Sequence, residues 1–167
     1  MHFIGHVWKY GDNIDTDVLY PGQYLVYFEP EEVAKHTLEG LDRSFASKVK
    51  KGDILVAGKN FGCGSAREQA VRALKYTGIG LVIADSFSRT FYRNAIAIGL
   101  PVLEYKGITQ NVSEGDILSV ELDKSLIYNQ TTGWSAQAPV QPELLLKMLS
   151  VGGALNYYKK IKERRLL

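Results

Sequence analysis

Between residues 54 and 105, short apolar runs alternate with longer amphipathic stretches, and that alternation leaves few architectures open. Ile54-Leu55-Val56-Ala57 is a strand-like run with no polar face. Residues 67–76 follow with helical spacing, and Gly78 closes them as a left-handed cap. Leu81-Val82-Ile83-Ala84 is a second buried run. Residues 89–98 make a second helical stretch, stopped by Gly99 and Pro101, and Pro101-Val102-Leu103-Glu104-Tyr105 is a third strand. Strand, helix, strand, helix, strand with apolar strands predicts a parallel sheet joined by crossover helices.

The flanks add a different character. His6-Val7-Trp8-Lys9-Tyr10 reads as a short strand, followed by a polar loop holding Asp12, Asp15 and Asp17. Pro21-Gly22 marks a turn, and Pro30 opens a helix that runs to about His36, with Glu31 and Glu32 in its first turn. After residue 105, residues 116–122 and 125–128 form a hairpin around Asp123-Lys124, with a third strand near residues 134–138. Residues 142–149 and 154–162 are closing helices separated by Gly152-Gly153. The expected fold class is α/β. One domain over residues 1–167 has a parallel core sheet, crossover helices and an added antiparallel β layer.

A chain of 167 residues with 46% hydrophobic and 23% charged residues can bury a real core without disulfides. A net charge of +2 is too weak to argue for nucleic acid or an anionic membrane, and neither is expected as a partner. The basic run from Lys159 to Arg165 reads as the solvated end of a terminal helix. Cys63 is the single cysteine, so no internal disulfide forms and no iron–sulfur cluster can be held by this chain alone. No membrane span and no signal-peptide layout is expected, which fits a reducing, cytoplasmic setting.

Chemistry concentrates in Asn60-Phe61-Gly62-Cys63-Gly64-Ser65-Ala66-Arg67-Glu68-Gln69-Ala70, between the first apolar strand and its helix. It matches neither a Walker A loop, nor a dinucleotide fingerprint, nor a nucleophile elbow. Two readings of Ser65 stay open. Ser65-Ala66-Arg67-Glu68 fits a capping box, in which Ser65 only satisfies helix N–H groups. Alternatively Ser65 faces a substrate and Arg67 grips a carboxylate with both arms of its fork. His2, His6 and His36 lack triad context, so an ionised Ser65 would rely on N–H groups and Arg67. Cys63 is either a reactive thiol or a small buried residue. Asp12, Asp15 and Asp17 lack the calcium-loop pattern, and turn or capping roles are their default.

Four blocks, in order, carry a family resemblance. They are residues 5–17 with Asp15-Thr16-Asp17, Pro21-Gly22-Gln23-Tyr24-Leu25, the glycine loop, and residues 85–101 from Asp85-Ser86-Phe87 to Gly99-Leu100-Pro101. The chain resembles the small subunits of 3-isopropylmalate dehydratase, separate-chain versions of the swivelling domain of the aconitase superfamily. The resemblance implies a swivelling β/β/α domain and a large-subunit partner, in a heterodimer or heterotetramer, that carries a [4Fe–4S] cluster. It implies dehydration and rehydration of a small 2-hydroxy diacid in leucine biosynthesis. Ser65 aligns with the catalytic serine, Asp17 with an active-site acid, and Arg67 with the carboxylate-binding arginine; Gly64 and Ala66 frame them. The chain itself should bind no metal.

Substrate choice is expected in Tyr24-Leu25-Val26-Tyr27, above all in Tyr24, Leu25 and Val26. Relatives that take tricarboxylates carry an arginine where Val26 stands, and an extra carboxylate beside an apolar side chain is costly to bury. A branched alkyl group there would gain roughly 1–3 kcal/mol. Two departures are Ala66, where many relatives have a second serine, and Gln69, where many have histidine. They keep 2,3-dimethylmalate, citramalate or homoaconitate chemistry as alternatives. The competing classes are a non-catalytic carboxylate-binding module and a redox protein using Cys63.

Overall fold

A computed structural model describes residues 1–165, with side chains as far as residue 163. Seven strands among them form one sheet: β1 (His2–Lys9), β2 (Ile54–Ala57), β3 (Leu81–Ala84), β4 (Val102–Glu104), β5 (Ile117–Glu121), β6 (Leu126–Asn129) and β7 (Ser135–Gln137). Their spatial order is β4-β3-β2-β1-β5-β6-β7. The parallel half, β4-β3-β2, meets the antiparallel half, β5-β6-β7, across β1. The antiparallel strands thus extend the same sheet.

β1 is longer than the sequence suggests, and its pairing explains why. Residues 7–9 run parallel to β2, with Val7 opposite Ile54. Residues 2–6 run antiparallel to β5, with His2 opposite Glu121 and His6 opposite Ile117. His2, Gly5 and His6 carry little strand propensity, so that half is held by a distant partner.

The helices are α1 (Thr16–Leu19), α2 (Pro30–Lys35), α3 (Phe45–Lys48), α4 (Glu68–Tyr76), α5 (Arg89–Ile98), α6 (Ile108–Asn111), α7 (Glu143–Ser150) and α8 (Ala154–Arg165). The single-turn helices α1, α3 and α6 have too few residues for a period to register in sequence. β2 and β3 are buried along their whole length, as strands covered on both faces must be. α4 buries Ala70, Val71, Ala73 and Leu74, and α5 buries Phe91, Ala95 and Ile96. β5 and β6 instead alternate, with Leu118, Val120 and Ile127 inward and Leu126 and Tyr128 outward. Lys159, Lys160 and Lys162 are exposed on α8, as expected of a solvated run; the side chains of Arg164 and Arg165 lie outside the described residues. No helix among the described residues is long and apolar enough to cross a membrane.

Candidate active site at the carboxyl ends of the parallel strands

The loops leaving β1, β2 and β3 gather at one edge of the parallel half. Gly58 N–H donates to the Gly11 carbonyl (3.0 Å), and Asn13 N–H to the Lys59 carbonyl (2.8 Å). Phe61 N–H donates to Ser86 (3.0 Å), and Ser88 N–H returns to Phe61 (2.9 Å). Open α/β sheets bind ligands at this edge, where loops diverge from the strand ends.

The glycine loop is seated on the start of α1. Gly62 N–H donates to the Ile14 carbonyl (2.8 Å) and Thr16 N–H to the Cys63 carbonyl (2.9 Å). Gly62 has φ 72°, and a β-carbon there would overlap the Phe91 ring at 2.2 Å, so only glycine lets the loop lie on α5. Gly64 is exposed with φ 88°. Cys63 is half-buried and joins α1 through its backbone.

The structure removes the capping reading of Ser65. α4 begins at Glu68, and Arg67 is its N-cap, with extended backbone (φ −84°, ψ 111°) and no side-chain cap. Ser65 stands two residues too early. Its Oγ lies 3.1 Å from Thr16 Oγ1, which also donates to the Ser65 carbonyl at 2.8 Å. Glu68 does not reach back either: its carboxylate accepts from Arg72 Nε at 2.7 Å. The loop prefers docking to α1 over coiling into the helix because Gly62 and Gly64 both adopt left-handed backbone. The N-terminal N–H groups of α4 are thus left free of a side-chain cap.

Arg67, at the N-cap of α4, and Asp17, in α1, meet although 50 positions separate them in the sequence. Arg67 Nη1 is in ion-pair contact with Asp17 Oδ1, with Arg67 27% and Asp17 59% exposed. That nitrogen is buried and, apart from the Asp17 contact, has no hydrogen-bond partner. The other two acids take turn and capping roles: Asp15 Oδ1 accepts from Val18 N–H at 2.7 Å to cap α1, and Asp12 Oδ1 accepts from Lys59 N–H at 2.7 Å. No cluster of three potential metal ligands occurs among the described residues.

A profile of the aconitase C-terminal domain matches residues 12–108. The isopropylmalate/citramalate isomerase small subunit of Methanocaldococcus jannaschii is 53% identical over 156 residues, which cover 93% of each chain. A 3-isopropylmalate dehydratase small subunit of Archaeoglobus fulgidus is 52% identical over 161 residues, covering 96% of this chain and 99% of that one. A crystal structure of 3-isopropylmalate dehydratase from M. jannaschii superposes with a TM-score of 0.94 at 44% identity, covering 99% of this chain and 98% of that one. The chain belongs to the 3-isopropylmalate dehydratase small-subunit family. The mixed α/β fold expected from the sequence is the fold of that family.

As a member of this small-subunit family, the chain is part of a hydro-lyase. Its expected specificity stretch begins in a 3-10 turn, Gly22–Tyr24. The Arg67 guanidinium touches that turn: a β-carbon on Gly22 would stand 3.3 Å from Nη1. Tyr24 supports the stretch from below. Its hydroxyl donates to Glu39 (2.9 Å), and its ring stacks on His36 at 3.7 Å. Glu39 raises the Tyr24 phenol pKa, while hydrogen bonding from His36 and then Tyr24 holds the Glu39 carboxyl below its usual range against the opposing cost of burial. Leu25 is half-buried against the core, whereas Val26 is 70% and Phe28 78% exposed.

Ser65, Arg67, Asp17 and Gly64 therefore come together, Ala66 lies exposed between Ser65 and Arg67, and Gly22 joins the expected stretch to them. Val26 stands in the open. Sequence reasoning missed Thr16, Gly22, His36 and Glu39. Thr16 lay inside the quoted Asp15-Thr16-Asp17 block, but nothing in its type announces a partner at position 65.

Proposed function

We propose that this chain is the small subunit of an isopropylmalate isomerase of leucine biosynthesis. It completes the active site of a larger subunit that carries a [4Fe–4S] cluster, in a heterodimer or heterotetramer. The observation that carries the reading is the placement of Ser65 Oγ and the Arg67–Asp17 pair on one exposed loop edge beside an uncapped helix N-terminus. With one cysteine this chain cannot supply a cluster's thiolates, so the group belongs to the partner. When bound there, the cluster supplies Lewis-acid assistance to the leaving hydroxyl.

This chain's residues handle the other half of the chemistry. Arg67 holds a substrate carboxylate, exchanging its Asp17 contact for the two-armed fork. Ionised Ser65 takes the proton from the carbon next to that carboxylate. The C–H electron pair becomes the new carbon–carbon double bond as hydroxide departs from the neighbouring carbon. Return of water with the opposite placement delivers the isomer, and Ser65 gives its proton back. Arg67 and the α4 N-terminus lower the cost of charge building beside the carboxylate. Asp17 holds the fork until substrate arrives and is the acidic member of the site. Gly64 and Ala66 leave room for the substrate, and Tyr24, Leu25 and Val26 form the wall against its alkyl group once the large subunit closes over them. Residues 1–167 act as one swivelling domain, in the reducing cytoplasm that the cluster requires.

A second reading concerns substrate alone. The M. jannaschii relative is named for citramalate as well as isopropylmalate, and Ala66 lacks the hydroxyl donor many relatives have. The test is anaerobic turnover by this chain with its cluster-bearing large subunit, comparing isopropylmalate, dimethylmalate, citramalate, citrate and homocitrate. Preferential turnover of isopropylmalate is expected. Preference for another small diacid would reassign the substrate and keep the mechanism. No turnover of any, with cluster and complex verified, would reduce the chain to a carboxylate-binding module.

A further inference from the structure

Thr16 is 2% exposed and sits in the first turn of α1, yet its hydroxyl is aimed outward at the glycine loop. A threonine hydroxyl has one hydrogen and two lone pairs. Thr16 Oγ1 has two acceptors in reach, the Ser65 carbonyl at 2.8 Å and Ser65 Oγ at 3.1 Å. While its hydrogen goes to the carbonyl, the shorter contact, the remaining contact is satisfied only by Ser65 donating to Thr16. The serine proton then points at Thr16, and the serine cannot act as a base in that state.

The geometry points to Thr16 as the positioning residue that switches Ser65 from donor to acceptor. This rests on the reading of Ser65 as the proton-abstracting group. When Ser65 ionises, rotation about the Thr16 Cβ–Oγ1 bond turns the hydrogen from the Ser65 carbonyl to the serine oxyanion. No heavy atom has to move, because both acceptors are already within hydrogen-bond range. Thr16 itself is shielded from water, so its hydroxyl has few partners other than Ser65. The backbone anchor holds the hydroxyl in place: Thr16 N–H donates to the Cys63 carbonyl at 2.9 Å. The same side chain therefore fixes the loop in the resting state and stabilises the anion in the working state.

The experiment uses the assembled complex of both subunits, with Thr16→Val and Thr16→Ser as variants. Valine keeps the shape and removes the hydroxyl; serine keeps the hydroxyl. Thr16→Val is expected to lower kcat about 100-fold, as loss of one oxyanion donor does, with KM changed less than about threefold. The acidic limb of its kcat–pH profile should move to higher pH by about one unit, because the serine oxyanion has lost a donor. Thr16→Ser should restore both kcat and the limb. Unchanged kcat in Thr16→Val overturns the inference. So does a fall in kcat with an unmoved limb, which is what a loosened loop would give. A wild-type complex without turnover fails earlier and takes the proposed function with it, so the two failures are told apart by the wild-type assay alone.

Discussion

The guanidinium of Arg67 rests against Gly22, so that a β-carbon added there would stand 3.3 Å from Nη1 and 3.6 Å from Nη2. A residue at the N-cap of α4 is thus braced by a turn far away in sequence while its Nη1 is in ion-pair contact with Asp17. Gly22→Ala should shift the fork by a few tenths of an ångström and raise KM several-fold while kcat changes less. Steady-state kinetics of the assembled enzyme measure this directly. An unaltered KM would show that Arg67 relaxes freely and that the brace does not matter.

Replacing the fork itself should cost more. Arg67→Lys keeps the charge but loses the paired donors. Charge-assisted hydrogen bonds contribute about 1.5–3 kcal/mol, so KM should rise roughly 10- to 100-fold. Kinetics equal to wild type would remove Arg67 from the carboxylate site.

Ser65 caps no helix, so its removal should separate activity from stability. Ser65→Ala is expected to lower turnover by about 100- to 10,000-fold, the range of a lost general base. Stability should fall by no more than about 1 kcal/mol, the weight of one hydrogen bond to Thr16. Assay and thermal melting on one preparation check both halves. A variant that melts early in proportion to its lost activity would return Ser65 to a structural role.

The wall of the expected specificity stretch should have its own acid sensitivity. Hydrogen bonds from His36 and Tyr24 lower the Glu39 pKa from its ordinary 4.5. Folding is therefore stabilised by this group above pH 4.5, and the contribution disappears as pH falls through the lowered folded-state value. The melting-temperature gap between wild type and Glu39→Gln should hold from neutral pH down to about 4.5 and then close as pH falls through the lowered folded-state value. A gap that is unchanged in acid would mean that Glu39 contributes through packing alone.

Val26 is 70% exposed in the free chain, so its effect on substrate choice should be felt only in the assembled enzyme. Val26→Arg supplies a cation for a third carboxylate, and activity with citrate or homocitrate should appear while isopropylmalate turnover falls. If tricarboxylates gain nothing, the stretch around Val26 does not choose the substrate.

The parallel half was legible because β2 and β3 are unbroken apolar runs and each crossover helix has a period and a stop signal, as at Gly99 with φ 81°. The hairpin was legible from its alternation. The seam was not. Residues 2–6 of β1 gain their strand geometry from β5, and no local pattern encodes a partner that distant. At the site, Ser65 and Arg67 could be picked out by type and order, and Asp17 by its place in a recognised block. What linear order could not reveal is which neighbour each side chain finds: the serine spacing of a capping box was present, but two left-handed glycines turned Ser65 toward Thr16 instead. Gly22 was legible only as a turn, because what matters beside Arg67 is the absence of a side chain there.

The seam strand also sets a timetable for synthesis. Half of β1 waits for β2, and the other half for β5, whose last residue, Glu121, pairs with His2. A ribosome must therefore release residue 121 before residues 2–6 can be locked in. Contacts this far apart in sequence slow folding. Until they form, β1 remains an open edge for chaperones to cover.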